Sequence, residues 1–133
     1  MSRENVELVR QAYAAYAKNG IDGAVSYWAE DHVAYSVPEW PDDPEYHGRD
    51  GMRKLNGQWT DNFEEFGFHL HELRDAGDTV VALLELTGRI KGSAVPIRQP
   101  LGAVHSDFRG DLIGETRYFL AWREAIEAAG LQE

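Results

Sequence analysis

The chain has 133 residues, the size of one domain, and its 43% hydrophobic and 11% aromatic content is enough for a packed core and too much for a disordered chain. Lys and Arg number 13 against 23 Asp and Glu, leaving a formal charge of −10 that repels phosphate backbones and anionic lipid surfaces, so neither nucleic acid nor membrane is expected as a partner. Cysteine is absent, which excludes a disulfide framework, a thiolate metal site and a cysteine nucleophile.

Residues 2–18 read as a helix, with Ser2 placed to cap it and Val6, Val9, Tyr13 and Tyr16 recurring at steps of three and four. Asn19-Gly20 supplies the stop, and Asp22 is placed to cap a short second helix carrying Val25 and Trp28. Residues 32–37 predict a short strand. Pro38, Pro41 and Pro44 forbid regular structure through residue 44, in a loop that also holds Trp40. Asp50 is placed to cap a third helix with Met52, Leu55, Trp59 and Phe63 on one face.

After Gly67 the period changes. Strands are predicted over 68–75, 79–91, 94–108 and 112–121, joined by turns at Ala76-Gly77-Asp78, Gly92-Ser93 and Arg109-Gly110-Asp111. Residues 122–129 predict a short closing helix. Helices followed by an antiparallel meander define an α+β domain spanning 1–133, with strands long enough to force a strongly curved sheet. No apolar run approaches the ~18 residues of a membrane span, and Met1 to Asn5 lack the apolar core of a signal peptide. The expectation is a cytoplasmic protein.

The order of elements resembles the SnoaL-like branch of the nuclear-transport-factor-2-like superfamily over nearly the whole chain. The residues that carry it are Glu7-Leu8-Val9 leading to Tyr13 and Tyr16, Asp22-Gly23, Pro38-Glu39-Trp40, Tyr46-His47-Gly48, Arg49 to Arg53, Asp75 to Val81, and the closing Arg123 to Leu131. The resemblance implies three N-terminal helices on a strongly curved antiparallel sheet that forms a cone with an internal apolar cavity. It also implies a hydrophobic small molecule as ligand, and a homodimer through the outer sheet face. Members of the superfamily include steroid isomerases, polyketide cyclases, epoxide hydrolases and non-catalytic binding proteins, so the fold leaves the reaction open. The family's carboxylate bases do not transfer: the matching positions hold Ala121, Ser36 and Val104, and the helix-one tyrosine falls near Ala12.

A last hairpin with its turn centred on Gly110 pairs His105 with Glu115, Ala103 with Arg117 and Leu101 with Phe119, all on one sheet face. On this reading His105 is a general base or hydrogen-bond donor, Glu115 fixes its tautomer, and Arg117 and Tyr16 hold a ligand oxygen. The alternatives are a self-satisfying buried network or a dimer contact. Tyr13, Trp28, Tyr35, Trp40, Trp59, Phe63, Leu101 and Phe119 are the expected ligand-binding side chains, several of which serve equally well as plain core. His69 and His71, with Glu85 conceivable as a third ligand, read first as a polar outer face, and neither a metal nor a cofactor is expected. There is no phosphate-cradling glycine motif and no nucleophile elbow. The chemistry expected is cofactor-free acid/base work of the isomerase, cyclase or hydratase kind on a hydrophobic oxygenated molecule, or binding without turnover.

Overall fold

A computed structural model describes residues 2–39 and 43–132. Trp40 lies outside the described residues. In chain order the elements are α1 (Ser2–Asn19), α2 (Ile21–Ala24), a 3-10 turn (Val25–Tyr27), β1 (Trp28–Tyr35), β2 (Glu45–His47), α3 (Gly48–Asp61), β3 (Phe63–Asp75), β4 (Val80–Ile90), β5 (Pro96–Ser106), β6 (Ile113–Phe119) and α4 (Trp122–Ala128). The strands form one six-stranded sheet in the order β2-β1-β6-β5-β4-β3. The meander β3 to β6 is antiparallel as expected, but β1 runs parallel to β6, so the sheet is mixed. The chain passes through β2, α3 and three more strands between β1 and β6, so no hairpin constrains the relative direction of those two strands.

Two element boundaries differ from the sequence reading for one reason, an interrupted alternation. β1 begins at Trp28, four residues early, because consecutive exposed Glu30 and Asp31 mask a strand whose register shifts between Trp28 and Val33. Phe63 opens β3 instead of closing α3; the irregularity follows at Glu65, with φ 55, and the register shifts before Gly67. Pro44 permits the short strand β2 just after it, which pairs antiparallel with β1 through Val33 and His47.

The sheet divides the molecule into two apolar layers. On its inner face, fully buried Val9 of α1 and Leu55 of α3 pack with Leu84, Leu101 and Ile113. On its outer face, α4 lays Ala125 and Ile126 over Val81, Leu83 and Val104. Gly102 makes that approach possible, since a Cβ there would stand 2.5 Å from the Cβ of Ala125. Leu84→Ala is expected to lower the free energy of unfolding by about 2–5 kcal/mol through the cavity it leaves, and Gly102→Val by about 1–3 kcal/mol through overpacking. Urea unfolding of the two variants checks both.

Candidate functional site

The last hairpin is centred between Gly110 and Asp111 and not on Gly110, which shifts every cross-strand partner by one residue. Arg109 pairs with Leu112 across a two-residue loop of Gly110 and Asp111, with Gly110 at φ 61, the left-handed value a II′ turn takes at this position. The register therefore pairs His105 with Thr116, Val104 with Arg117 and Ser106 with Glu115. Because side chains alternate along a strand, this single-residue slip moves a whole set to the other face.

His105 thus points inward beside Thr116 and Tyr118, while Glu115, Arg117 and Phe119 point outward. The expected grouping of His105 with Glu115 and Arg117 is corrected by this register. On the outer face Glu115 accepts from Ser106 Oγ at 3.2 Å and stands 3.5 Å from Arg117. The Arg117 guanidinium lies over the Tyr35 ring at 4.0 Å, so Tyr35 also belongs to the outer surface. Phe119 packs with α4.

Inside, four side chains from three parts of the chain form a continuous hydrogen-bonded row. Tyr13 Oη of α1 lies 2.7 Å from His105 Nε2, His105 Nδ1 lies 2.8 Å from Thr116 Oγ1, and Thr116 Oγ1 lies 2.9 Å from His32 Nε2 on β1. His32 and Thr116 are fully buried, and His105 nearly so. Burial, reinforced by the positive charge His32 would carry, lowers the His105 pKa to about 3. Burial, with Arg109 adding to it and Asp31 opposing, lowers that of His32 to about 4. Both imidazoles are neutral at pH 7. Burial pushes the Tyr16 phenol up to about 12, and it raises Tyr13 and Tyr118 as well.

Tyr13 and His105 form part of the wall of a small interior cavity of about 30 Å³, room for one or two water molecules. Its other aromatic walls are Tyr16, Trp28, Trp59, Phe68 and Tyr118. Trp59 meets Tyr118 edge-on at 5.1 Å, and Phe68 stacks on Tyr13 at 5.9 Å. Tyr16 donates its hydroxyl to Asn56 Oδ1 of α3. Every polar side chain on this wall is uncharged at neutral pH, and among the described residues no carboxylate joins it.

Of the expected site residues, Tyr13, Tyr16, Trp28, Trp59 and His105 meet at this cavity. Leu101 is fully buried in the inner core but is not part of the cavity wall. Phe63, at the start of β3, leans on Phe66 at 6.0 Å and also stands away from it. Sequence reasoning missed Thr116, Tyr118, His32, Asn56 and Phe68. The first two would have emerged from a two-residue Gly110-Asp111 loop, which shifts each partner by one position. His71 Nε2 is 3.4 Å from Glu85 Oε1, which also accepts from Arg98 at 2.9 Å, and among the described residues no cluster of three metal-binding side chains forms. Ala121, one of the positions at which the resemblance implies a carboxylate base, is exposed just before α4, and its N–H donates to Glu124 Oε1 at 3.2 Å.

A curved sheet wrapped around α1 and α3, with an aromatic interior, is the architecture of the nuclear-transport-factor-2-like cone proteins. Residues 9–116 match the SnoaL-like domain, and the chain belongs to that family. It is similar in fold to a nuclear-transport-factor-2-like protein from Burkholderia thailandensis, at 18% identity over 96% of this chain and 97% of that one, with a TM-score of 0.77. A hypothetical protein with a ketosteroid isomerase-like fold from Catenulispora acidiphila, bound to trimethylamine, is 19% identical over 95% and 94% of the two chains, with a TM-score of 0.71. A candidate SnoaL-like polyketide cyclase from Mesorhizobium loti is 18% identical over 84% and 95%, with a TM-score of 0.68. No curated protein matches the chain. Among the described residues, no helix is long and apolar enough to cross a membrane.

The buried imidazoles set a stability profile. Their folded pKa values, about 3 and about 4, lie below the ordinary 6.5, so between those limits the unfolded chain takes up protons that the folded one refuses. Stability is therefore expected to fall with pH from about 6 to about 4, by about 1.4 kcal/mol per pH unit for each histidine, and this component flattens below the folded pKa values. Urea unfolding across this range, compared with His105→Gln, should show a shallower slope in the variant. Equal slopes would contradict the assignment.

Proposed function

We propose that this chain binds a compact, uncharged, hydrophobic molecule bearing a carbonyl oxygen, and that Tyr13 polarises that oxygen. The observation carrying the reading is the Tyr13 hydroxyl on the cavity wall, hydrogen-bonded from behind to a buried neutral imidazole. A donor fixed in a water-poor site stabilises charge developing on oxygen, as cofactor-free isomerisation, cyclisation or hydration requires. His105, with a pKa of about 3, is a poor general base and acts instead by orienting Tyr13.

Charge selects the ligand. An ammonium of the kind bound by the Catenulispora acidiphila relative would meet six aromatic side chains here. The burial that keeps His105 unprotonated opposes any such cation, and no carboxylate of the described wall would compensate it. Size demands movement. At about 30 Å³ the cavity is far below the volume of a substrate site, and the rings of Tyr13 and Phe68, which line both spaces, stand between it and a groove of about 210 Å³ between α1 and β3. Displacement of the Phe68 ring joins the two spaces.

Binding without turnover is the second reading, favoured by the missing wall carboxylate, because abstraction of a carbon-bound proton needs a base. Titration with cyclic ketones followed by tryptophan fluorescence tests the shared part: wild type should saturate, and Tyr13→Phe should bind about 5- to 10-fold more weakly, the loss of one hydrogen bond. Deuterium uptake at the ketone α-carbon in heavy water separates the readings. Exchange that Tyr13→Phe abolishes marks catalysis, and binding with no exchange marks a binding module.

The proposal includes a homodimer through the outer sheet face, where His71, Glu85 and Arg98 form an ionic patch beside Trp122 of α4. Light scattering at micromolar concentration should give twice the chain mass, and a single-chain mass would refute it.

A further inference from the structure

Thr116 stands between two imidazoles with a single O–H. Among the described residues no other acceptor takes that hydrogen, so it must donate to one ring and accept from the other. Only two directions satisfy the row. In the first, Tyr13 donates to His105 Nε2, His105 Nδ1–H donates to Thr116, and Thr116 donates to His32 Nε2. The neutral His32 ring then carries its proton on Nδ1. In the second, every bond reverses: His32 Nε2–H donates to Thr116, Thr116 donates to His105 Nδ1, and His105 Nε2–H donates to Tyr13 Oη.

The far end of the row distinguishes them. His32 Nδ1 is buried and finds no hydrogen-bond partner among the described residues. The first direction leaves a buried N–H without an acceptor there, whereas the second leaves only an unused lone pair. Orphaned buried N–H groups are the rarer and costlier case.

We infer that the row runs from His32 to Tyr13: Thr116 donates to His105, Tyr13 accepts from His105, and Tyr13 turns its own O–H into the cavity as a donor. This rests on the proposed carbonyl-binding reading and sharpens it: the site selects ligands by a hydrogen-bond acceptor, and His105, behind Tyr13, is a positioning residue. No described protein acceptor competes for the Tyr13 O–H in this arrangement.

Nitrogen-15 NMR of the ligand-free wild-type protein near pH 7 tests the direction without any ligand. Both His32 and His105 should carry the proton on Nε2 and a bare Nδ1. A proton on Nδ1 of His105 overturns the inference. His32→Leu leaves His105 Nδ1 as the one described acceptor for the Thr116 O–H, so His105 should keep its proton on Nε2. A change of the His105 tautomer in folded His32→Leu, which is what the opposite direction of the row would give, overturns the inference.

Cyclohexanone and methylenecyclohexane, alike in shape, supply the ligand arm. The ketone should bind the wild type about 5- to 10-fold more tightly, and Tyr13→Phe should erase most of that preference. Equal binding of the two probes by the wild type overturns the acceptor selection. If neither binds while both tautomers are as stated, the direction of the row stands and the carbonyl-binding reading fails.

Discussion

Burial of two imidazoles between the sheet and α1 constrains the residues around them. An imidazole removed from water must stay neutral, and a neutral imidazole has one donor and one acceptor to place. His105 places both, on Tyr13 and Thr116, and His32 places one on Thr116. Tyr13, on the inward stripe of α1, thereby becomes attached to β5. The hydroxyl that lines the cavity is held by the same contacts that seat the helix on the sheet, so shaping the site and closing the core are one structural problem.

The sheet also sorts charge. Glu115, Arg117, Glu85 and Arg98 are all on or near strands that line the interior, yet each takes the outer face, where it pairs with an opposite charge in contact with water. Such exposed pairs contribute little to stability individually. Their consequence is the interior they leave behind, which is aromatic and uncharged. A neutral interior of this kind distinguishes ligands by shape and by hydrogen-bond donors and acceptors, and it penalises any net charge.

Much of this was legible in the sequence. Helical spacing in α1 gave Tyr13 and Tyr16 their inward direction, and Trp28 and Trp59 were identified as candidates for the cavity wall. The order of helices, meander and closing helix, together with the SnoaL-like resemblance, gave the architecture. The partners of His105 were not legible, because hairpin register is decided by the backbone conformation of one glycine and a shift of one position exchanges the two faces. His32 was hidden for a related reason: the exposed pair Glu30 and Asp31 breaks the alternation that would have marked it as inward-facing. Asn56 and Phe68 face the cavity through packing between distant elements, for which local periodicity holds no signal.

The parallel pairing of β1 with β6 carries a consequence for how the chain reaches this state. Hydrogen-bonded partners in the row are 92 positions apart for Tyr13 and His105, and 84 for His32 and Thr116. The meander from β3 to β6 can zip up from neighbouring hairpins, whereas β1 has to wait for the final strand before its inner edge is occupied. Such high contact order slows folding, since the loop-closure entropy must be met before the contacts form. On a ribosome, the N-terminal half would emerge with its sheet partner still unsynthesised, and the imidazole row would assemble last, as the seam that joins the two halves.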